Sequence, residues 1–198
     1  MIDREDITAI ILCGGRGSRL DGLDKPLIDI GGKRIVDCMI DCLSTQVGAM
    51  IVSCSRNVAL YEALGHKVVV DSDPGRGPLA GLYECFSHVE TEWAFTTPGD
   101  VPFIPESVVA RLQQDALENG IAVPTIDGQR QNLCLLLNKT NRDELCEFYV
   151  RGGGAVKHWL NDHGKSATDL SDLAPGFFNV NTSEELAQAK SKLKSIEH

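Results

Sequence analysis

The chain has 198 residues, with 19 basic and 28 acidic side chains and a formal net charge of −9 at pH 7. That length suits a single domain, residues 1–198, with an ordinary core and no need of covalent stapling. The acidic balance, with no basic run at either end to offset it, argues against a nucleic-acid or anionic-membrane partner. Near the start the apolar run Ala9-Ile10-Ile11-Leu12 is too short for a signal segment or a membrane span, so a soluble cytoplasmic protein is expected.

Seven cysteines, at positions 13, 38, 42, 54, 85, 134 and 146, form no Cys-x-x-Cys pair and sit mostly among apolar neighbours. They read as reduced thiols rather than zinc ligands, because no histidine follows Cys38 and Cys42 at a zinc-binding spacing.

Short β-branched apolar runs alternate with segments of helical period, the signature of an α/β domain with a largely parallel sheet. In chain order the pattern predicts a strand at 8–12, a glycine-rich loop, a helix near 34–43, a strand at 49–54, a helix around 58–64 and a strand at 67–71. After the turn Asp73-Pro74-Gly75 it predicts a helix at 79–89, a strand at 93–97 and a helix whose first turn holds Pro105. Residues 121–137 read as two strands joined through Asp127-Gly128, a strong hairpin pair, so a small antiparallel element is expected beside the parallel sheet. The run Arg151-Gly152-Gly153-Gly154 reads as a mobile loop between amphipathic segments at 141–150 and 155–161. A short strand at 177–180 and a helix at 183–194 close the chain, with Thr182 and Glu185 at capping-box spacing.

The most informative stretch is Leu12-Cys13-Gly14-Gly15-Arg16-Gly17-Ser18-Arg19-Leu20, followed by Lys25-Pro26-Leu27. Glycines 14, 15 and 17 let the backbone turn sharply and aim successive amides at one point, as a phosphate site requires. Arg19 and Lys25 add positive charge. A P-loop is excluded because no Gly-Lys-Ser/Thr follows, and a dinucleotide fingerprint fails because Leu20 stands where glycine is needed. Asp100 follows the 93–97 strand, at the sheet edge where open α/β folds bind ligands, and one such carboxylate can hold Mg²⁺ with water and phosphate completing the shell. Asp71 ends the third strand and could accept the paired N–H groups of a guanine. Gly77, Pro78 and Leu79 open a helix whose small residues would let a flat base lie on the backbone.

Gly-Gly-x-Gly-x-Arg-Leu with Lys25-Pro26 resembles the opening motif of the nucleotidyltransferase superfamily. Three later stretches narrow the likeness: Asp71 with Gly77-Pro78-Leu79-Ala80-Gly81, Gly99-Asp100-Val101-Pro102-Phe103-Ile104-Pro105, and Phe178-Asn179-Val180-Asn181-Thr182-Ser183-Glu184-Glu185-Leu186. Together they resemble the molybdenum cofactor guanylyltransferases over residues 7–190. The resemblance implies a three-layer Rossmann-like fold with a GTP-binding half at about 1–105 and an acceptor half at about 106–198. It also implies GMP transfer from GTP to the phosphate of molybdopterin with release of pyrophosphate. Mg²⁺ would sit on Asp100, with Arg19, Lys25 and Asp100 as the catalytic set. Leu12, Cys13, Gly14, Gly15, Gly17, Lys25, Asp71, Gly77, Pro78, Leu79 and Asp100 would hold the nucleotide, and Asn179, Asn181 and Thr182 the acceptor. Proteins that deliver molybdopterin are implied partners.

Three positions depart from the family pattern. Cys13 stands where alanine is usual, Leu133 where a His-Pro or Gln-Pro pair is frequent, and residues 152–154 where arginines are common, leaving Arg151 and Lys157 as the nearby bases for the acceptor phosphate. A molybdopterin cytidylyltransferase, a sugar-1-phosphate nucleotidyltransferase and a catalytically silent nucleotide-binding regulator stay open as alternatives. The implied reaction requires no protein nucleophile, and a general base has little to do because a phosphate monoester is already largely dianionic at neutral pH.

Overall fold

The computed structural model describes residues 1–14, 23–162 and 167–196. Strands β1 (Ile7–Leu12), β2 (Ala49–Cys54), β3 (Lys67–Val70) and β4 (Trp93–Pro98) run parallel in the order β3-β2-β1-β4. They are joined by helices α1 (Ile35–Leu43), α2 (Val58–Glu62) and α3 (Pro78–Phe86). Beyond α4 (Val108–Asn119) the sheet turns mixed. Strand β5 (Ile121–Ile126) is followed by the two-residue β6 (Gln129–Arg130) and then by β7 (Leu135–Asn138), which pairs antiparallel with both β4 and β5. Helices α5 (Lys139–Val150) and α6 (Val156–Asp162) lead to β8 (Ala167–Asp169), parallel to β5, and α7 (Ser183–Ile196) ends the chain.

Every residue of β1 is buried, because helices cover both faces and the side chains alternate between them. Ile7, Ala9 and Ile11 join Met39 of α1, Leu112 of α4 and Leu193 of α7 on one side. Ile10 and Leu12 join Leu82 of α3, Leu145 of α5 and Trp159 of α6 on the other. The result is the expected three-layer α/β arrangement. No helix among the described residues is long and apolar enough to cross a membrane.

The predicted hairpin forms at Asp127-Gly128, where both residues take positive φ (49° and 75°), as a two-residue hairpin turn demands. Its second strand is shorter than expected: β6 stops at Arg130, and the chain loops out through 131–134 before returning as β7. The predicted strand at 177–180 is corrected. A 3₁₀ segment (Ser171–Gly176) precedes these residues, which run as irregular chain. They carry strand-like apolar residues because Phe177 and Phe178 pack on the core; their backbone makes one sheetward bond, Val180 N–H to the Asp100 carbonyl at 2.9 Å.

Pro105 lies three residues before α4 rather than in its first turn, and its carbonyl accepts from Val108 N–H at 3.1 Å. The glycine run after α5 is no open linker either. Gly152, at φ 95°, donates to the Tyr149 carbonyl at 3.0 Å and Gly153 to that of Phe148 at 2.9 Å, closing the helix end. A Cβ on Gly153 would clash with the Phe148 ring, so the turn is packed against it.

Candidate active site

The parallel strands β3, β2, β1 and β4 all deliver their carboxyl ends to one edge. The chain runs from β1 outward to β3 and returns to β4 on the other side of β1, so β1 and β4 flank a topological switch point, where open α/β sheets leave a ligand crevice. Leu12 and Gly14 leave β1 there, and Gly99-Asp100 leaves β4. The two strand ends stay joined past their last ladder pair, with Gly99 N–H donating to the Leu12 carbonyl at 2.9 Å.

On the β2–β3 side, a cavity of about 300 Å³ is lined by Leu12, Gly14, Ser53, Asp71, Gly77, Pro78 and Gly81, among others. Its floor is close-packed: a Cβ on Gly81 would stand 2.7 Å from Ser53 Oγ and 3.6 Å from Asp71 Oδ2. Asp71 is 7% exposed. Burial pushes its carboxyl above the usual carboxylate range, against the opposing effect of Asp73 N–H donating to Oδ1 at 3.0 Å. The other oxygen is left for a ligand's donors.

Toward β4, Lys25 follows the glycine-rich loop in a short 3₁₀ turn (Lys25–Leu27). Its Nζ donates to Asn181 Oδ1 at 2.6 Å and lies 3.8 Å from Asp100 Oδ2. Lys25 and Asp100 side chains are 18% and 20% exposed. Burial pushes the Asp100 carboxyl up, and the nearby Lys25 charge pulls it partly back. Asp100 Oδ1 is buried without a hydrogen-bond partner among the described residues. An anionic oxygen left bare in that way suits a divalent cation. Among the described residues no group of three or more His, Cys, Asp or Glu side chains could hold a metal alone, so the remaining positions would fall to substrate oxygens and water.

The residue before Lys25 is held as firmly. Asp24 accepts from Tyr61 Oη and from Asn57 Nδ2, each at 2.9 Å, and has Arg56 Nε at 3.7 Å. Burial raises the Tyr61 hydroxyl, which therefore keeps its proton as a donor. The exit of the loop is thus pinned to α2.

Beyond Asp100 a second cleft of about 310 Å³ is lined by Asp100, Arg130, Gln131, Asn132, Phe177 and Asn179, among others. It shares Gln131, Phe177 and Asn179 with a wider groove of about 660 Å³ that also meets Asp127, Glu185 and Lys192. At the mouth of α7 the capping box forms as the spacing predicts. Thr182 Oγ1 accepts from Glu185 N–H at 3.2 Å, while Glu185 Oε2 accepts from the amides of Thr182 (2.9 Å) and Asn181 (2.7 Å).

The structure therefore brings Leu12, Gly14, Asp71, Gly77 and Pro78 to one cavity, and Lys25, Asp100, Asn179 and Asn181 to the adjoining edge. Cys13 is buried beneath, 4% exposed, with its thiol pushed well up by burial; Leu79 is likewise buried, in the core cluster with Leu82 and Cys85, and is not part of the cavity lining. Thr182 serves the helix cap. Gly15, Gly17 and Arg19 lie outside the described residues. Arg151 pairs with Glu147 at 2.8 Å on the surface and Lys157 is exposed, and neither lines these clefts. Arg130 and Lys192 do. Sequence spacing could not select these two, or Ser53, because only the strand order brings them to the site.

A mostly parallel sheet with a glycine-lined cavity holding Asp71, and a lysine beside the half-buried Asp100 at its switch point, is the plan of a nucleotidyltransferase. The model of the MobA-like NTP transferase domain matches residues 9–167, and the chain belongs to that family. A molybdenum cofactor guanylyltransferase of Cupriavidus pinatubonensis is 39% identical over 194 residues, spanning 94% of this chain and 97% of that protein. Among solved structures, molybdopterin-guanine dinucleotide biosynthesis protein A from Archaeoglobus fulgidus superposes with a TM-score of 0.76 at 19% identity, covering 95% of this chain and 99% of its own. A Mycobacterium tuberculosis protein solved in complex with manganese gives 0.69 at 17% identity, over 93% and 98%.

Proposed function

We propose that the protein transfers GMP from GTP to the terminal phosphate of molybdopterin and releases pyrophosphate, acting as a molybdenum cofactor guanylyltransferase in the cytoplasm. The observation that carries this reading is the adjacency, on one sheet edge, of the Asp71 cavity and the Lys25–Asp100 pair, in a chain so similar to guanylyltransferases along almost its whole length.

The donor half, about residues 1–105, and the acceptor half, about 106–198, share one domain. The base enters the glycine-lined cavity, where Asp71 accepts from two guanine N–H groups that cytosine does not present together. The triphosphate lies along the loop leaving β1. An acceptor phosphate oxygen attacks the α-phosphorus, the bond to the bridging oxygen breaks, and pyrophosphate leaves with the electron pair. The attacking oxygen is already anionic, so the protein's task is to suppress repulsion between two polyanions and hold them in line. Lys25 neutralises the α-phosphate, and Arg19, whose fork can take two oxygens, the departing pyrophosphate. Asp100 would hold Mg²⁺, which would supply Lewis-acid charge neutralisation at the phosphates. Asn179 and Asn181 offer amides to the mixed donor and acceptor edge of a pterin, while Arg130 brings a cation to the acceptor phosphate.

Pyrophosphate release is to be followed with GTP, Mg²⁺ and molybdopterin for wild type and Asp100→Ala. The variant is expected to be at least about a hundredfold slower, the scale of losing one preorganised charge contact. Equal rates would overturn the assignment of Asp100. With GTP and CTP supplied together, the guanine product is expected to dominate; a cytosine product would exchange this reading for that of a cytidylyltransferase.

A further inference from the structure

One wall of the Asp71 cavity is the segment that gives Pro74, Gly75, Gly77 and Pro78 to its lining, with Gly77 at φ 79°. Two glycines and two prolines give a smooth surface but no polar side chain to tie it down. Arg76, in the middle of the segment, is not part of the cavity lining. Its guanidinium lies 3.9 Å from the centroid of the Tyr149 ring, and its Nη2 donates to the Tyr149 carbonyl at 3.1 Å. Tyr149 is 9% exposed and stacks on Tyr83 of α3, with centroids 4.7 Å apart and planes at 29°. The carbonyl, in the last turn of α5, accepts from Gly152 N–H as well, and the helix dipole there favours a cation. Arg76 thereby joins the wall to a ring pair shared by α3 and α5.

We propose that Arg76 is a positioning residue for the nucleotide: its attachment to Tyr149 holds residues 74–78 in the shape that receives the base, without touching substrate. This rests on the reading that the Asp71 cavity holds the donor base. A wall ordered in advance spares the ligand the cost of ordering it, so losing the attachment weakens donor binding while leaving the chemistry at Lys25 and Asp100 intact.

The test is steady-state kinetics on Arg76→Ala, Arg76→Lys, Tyr149→Phe and Asp71→Asn, with melting temperatures alongside. Arg76→Ala is expected to raise KM for the donor nucleotide about tenfold, the scale of one cation–π contact plus one hydrogen bond. Its kcat should stay within about twofold and the acceptor KM should not move. Arg76→Lys, which keeps a cation at the ring, recovers most of the loss, and Tyr149→Phe, which keeps both ring and carbonyl, behaves as wild type. An unchanged donor KM in Arg76→Ala, or a fall in kcat with both KM values rising together, overturns the proposal. The Asp71→Asn variant separates two failures. If it raises the donor KM and Arg76→Ala does not, the attachment is idle and the cavity assignment survives; if neither does, the cavity assignment fails and the proposal with it.

Discussion

Lys25 Nζ donates to Asn181 Oδ1 at 2.6 Å, across 156 positions of sequence, while Asp100 Oδ2 stands farther off at 3.8 Å. The loop lysine is thus aimed by an amide from the far end of the chain rather than captured by the neighbouring carboxylate. Asn181→Ala removes that hold and lets Lys25 close on Asp100. A hydrogen bond to a charged group contributes about 1.5–3 kcal/mol, so kcat for pyrophosphate release is expected to fall roughly ten- to a hundredfold. Asn181→Asp, which sets a fixed negative charge beside the ammonium, should be worse than alanine.

Asp71 gives a pH signature. Its folded carboxyl is raised by burial, so the folded state binds the proton more tightly than the unfolded chain does. Stability therefore falls as pH rises from the ordinary aspartate value, about 3.9, through the raised folded value, and is level above it. Asp71→Asn keeps an acceptor for Asp73 N–H and removes this loss. Melting curves should show the variant at least as stable as wild type near neutrality, with the difference shrinking in acid, even as its kcat/KM for the donor drops about tenfold or more.

Gly99 is where the two halves of the switch point touch. A Cβ there would stand 2.9 Å from both the Leu12 carbonyl oxygen and Cys13 Sγ, and a backbone atom cannot step aside as a flexible side chain can. Gly99→Ala should cost about 1–3 kcal/mol of stability by overpacking and depress activity, because Asp100 is the next residue. Urea titration and the pyrophosphate assay measure the two effects.

Arg142 supplies a control remote from the chemistry. It is 4% exposed, its Nη2 donates to the Thr91 carbonyl at 2.9 Å, and its Nε and Nη1 have no partner among the described residues. A buried cation so poorly compensated is costly. Arg142→Met is expected to match or exceed the wild-type melting temperature and to leave kcat and both KM values unchanged.

Much of the architecture was legible because parallel strands covered on both faces appear as largely apolar runs: residues 8–12, 49–54 and 93–97 need little context to be recognised. The Asp127-Gly128 turn and the Thr182–Glu185 box were legible because each is settled by a few neighbouring residues. Strand β8 was not, since the three residues Ala-Thr-Asp carry almost no apolar signal and their place beside β5 is set by the assembled sheet. Residues 177–180 misled for the opposite reason, with two partly buried phenylalanines packed on the core from irregular chain. In the site, glycines and carboxylates announced themselves by their motifs. Ser53, Arg130 and the Lys25–Asn181 bond depend on which strands become neighbours, and that is a property of the assembled sheet.

The amide of Val180 is bonded to the carbonyl of Asp100, main chain to main chain, between the residue assigned to the metal and the segment assigned to the acceptor. A clasp of this kind survives exchange of either side chain. Redesign toward a different phosphorylated acceptor can accordingly vary Arg130, Gln131 and Asn179 along the groove while the spacing between the two substrates stays as the wild type sets it; a proline at 180, which would delete the N–H, is the substitution to avoid.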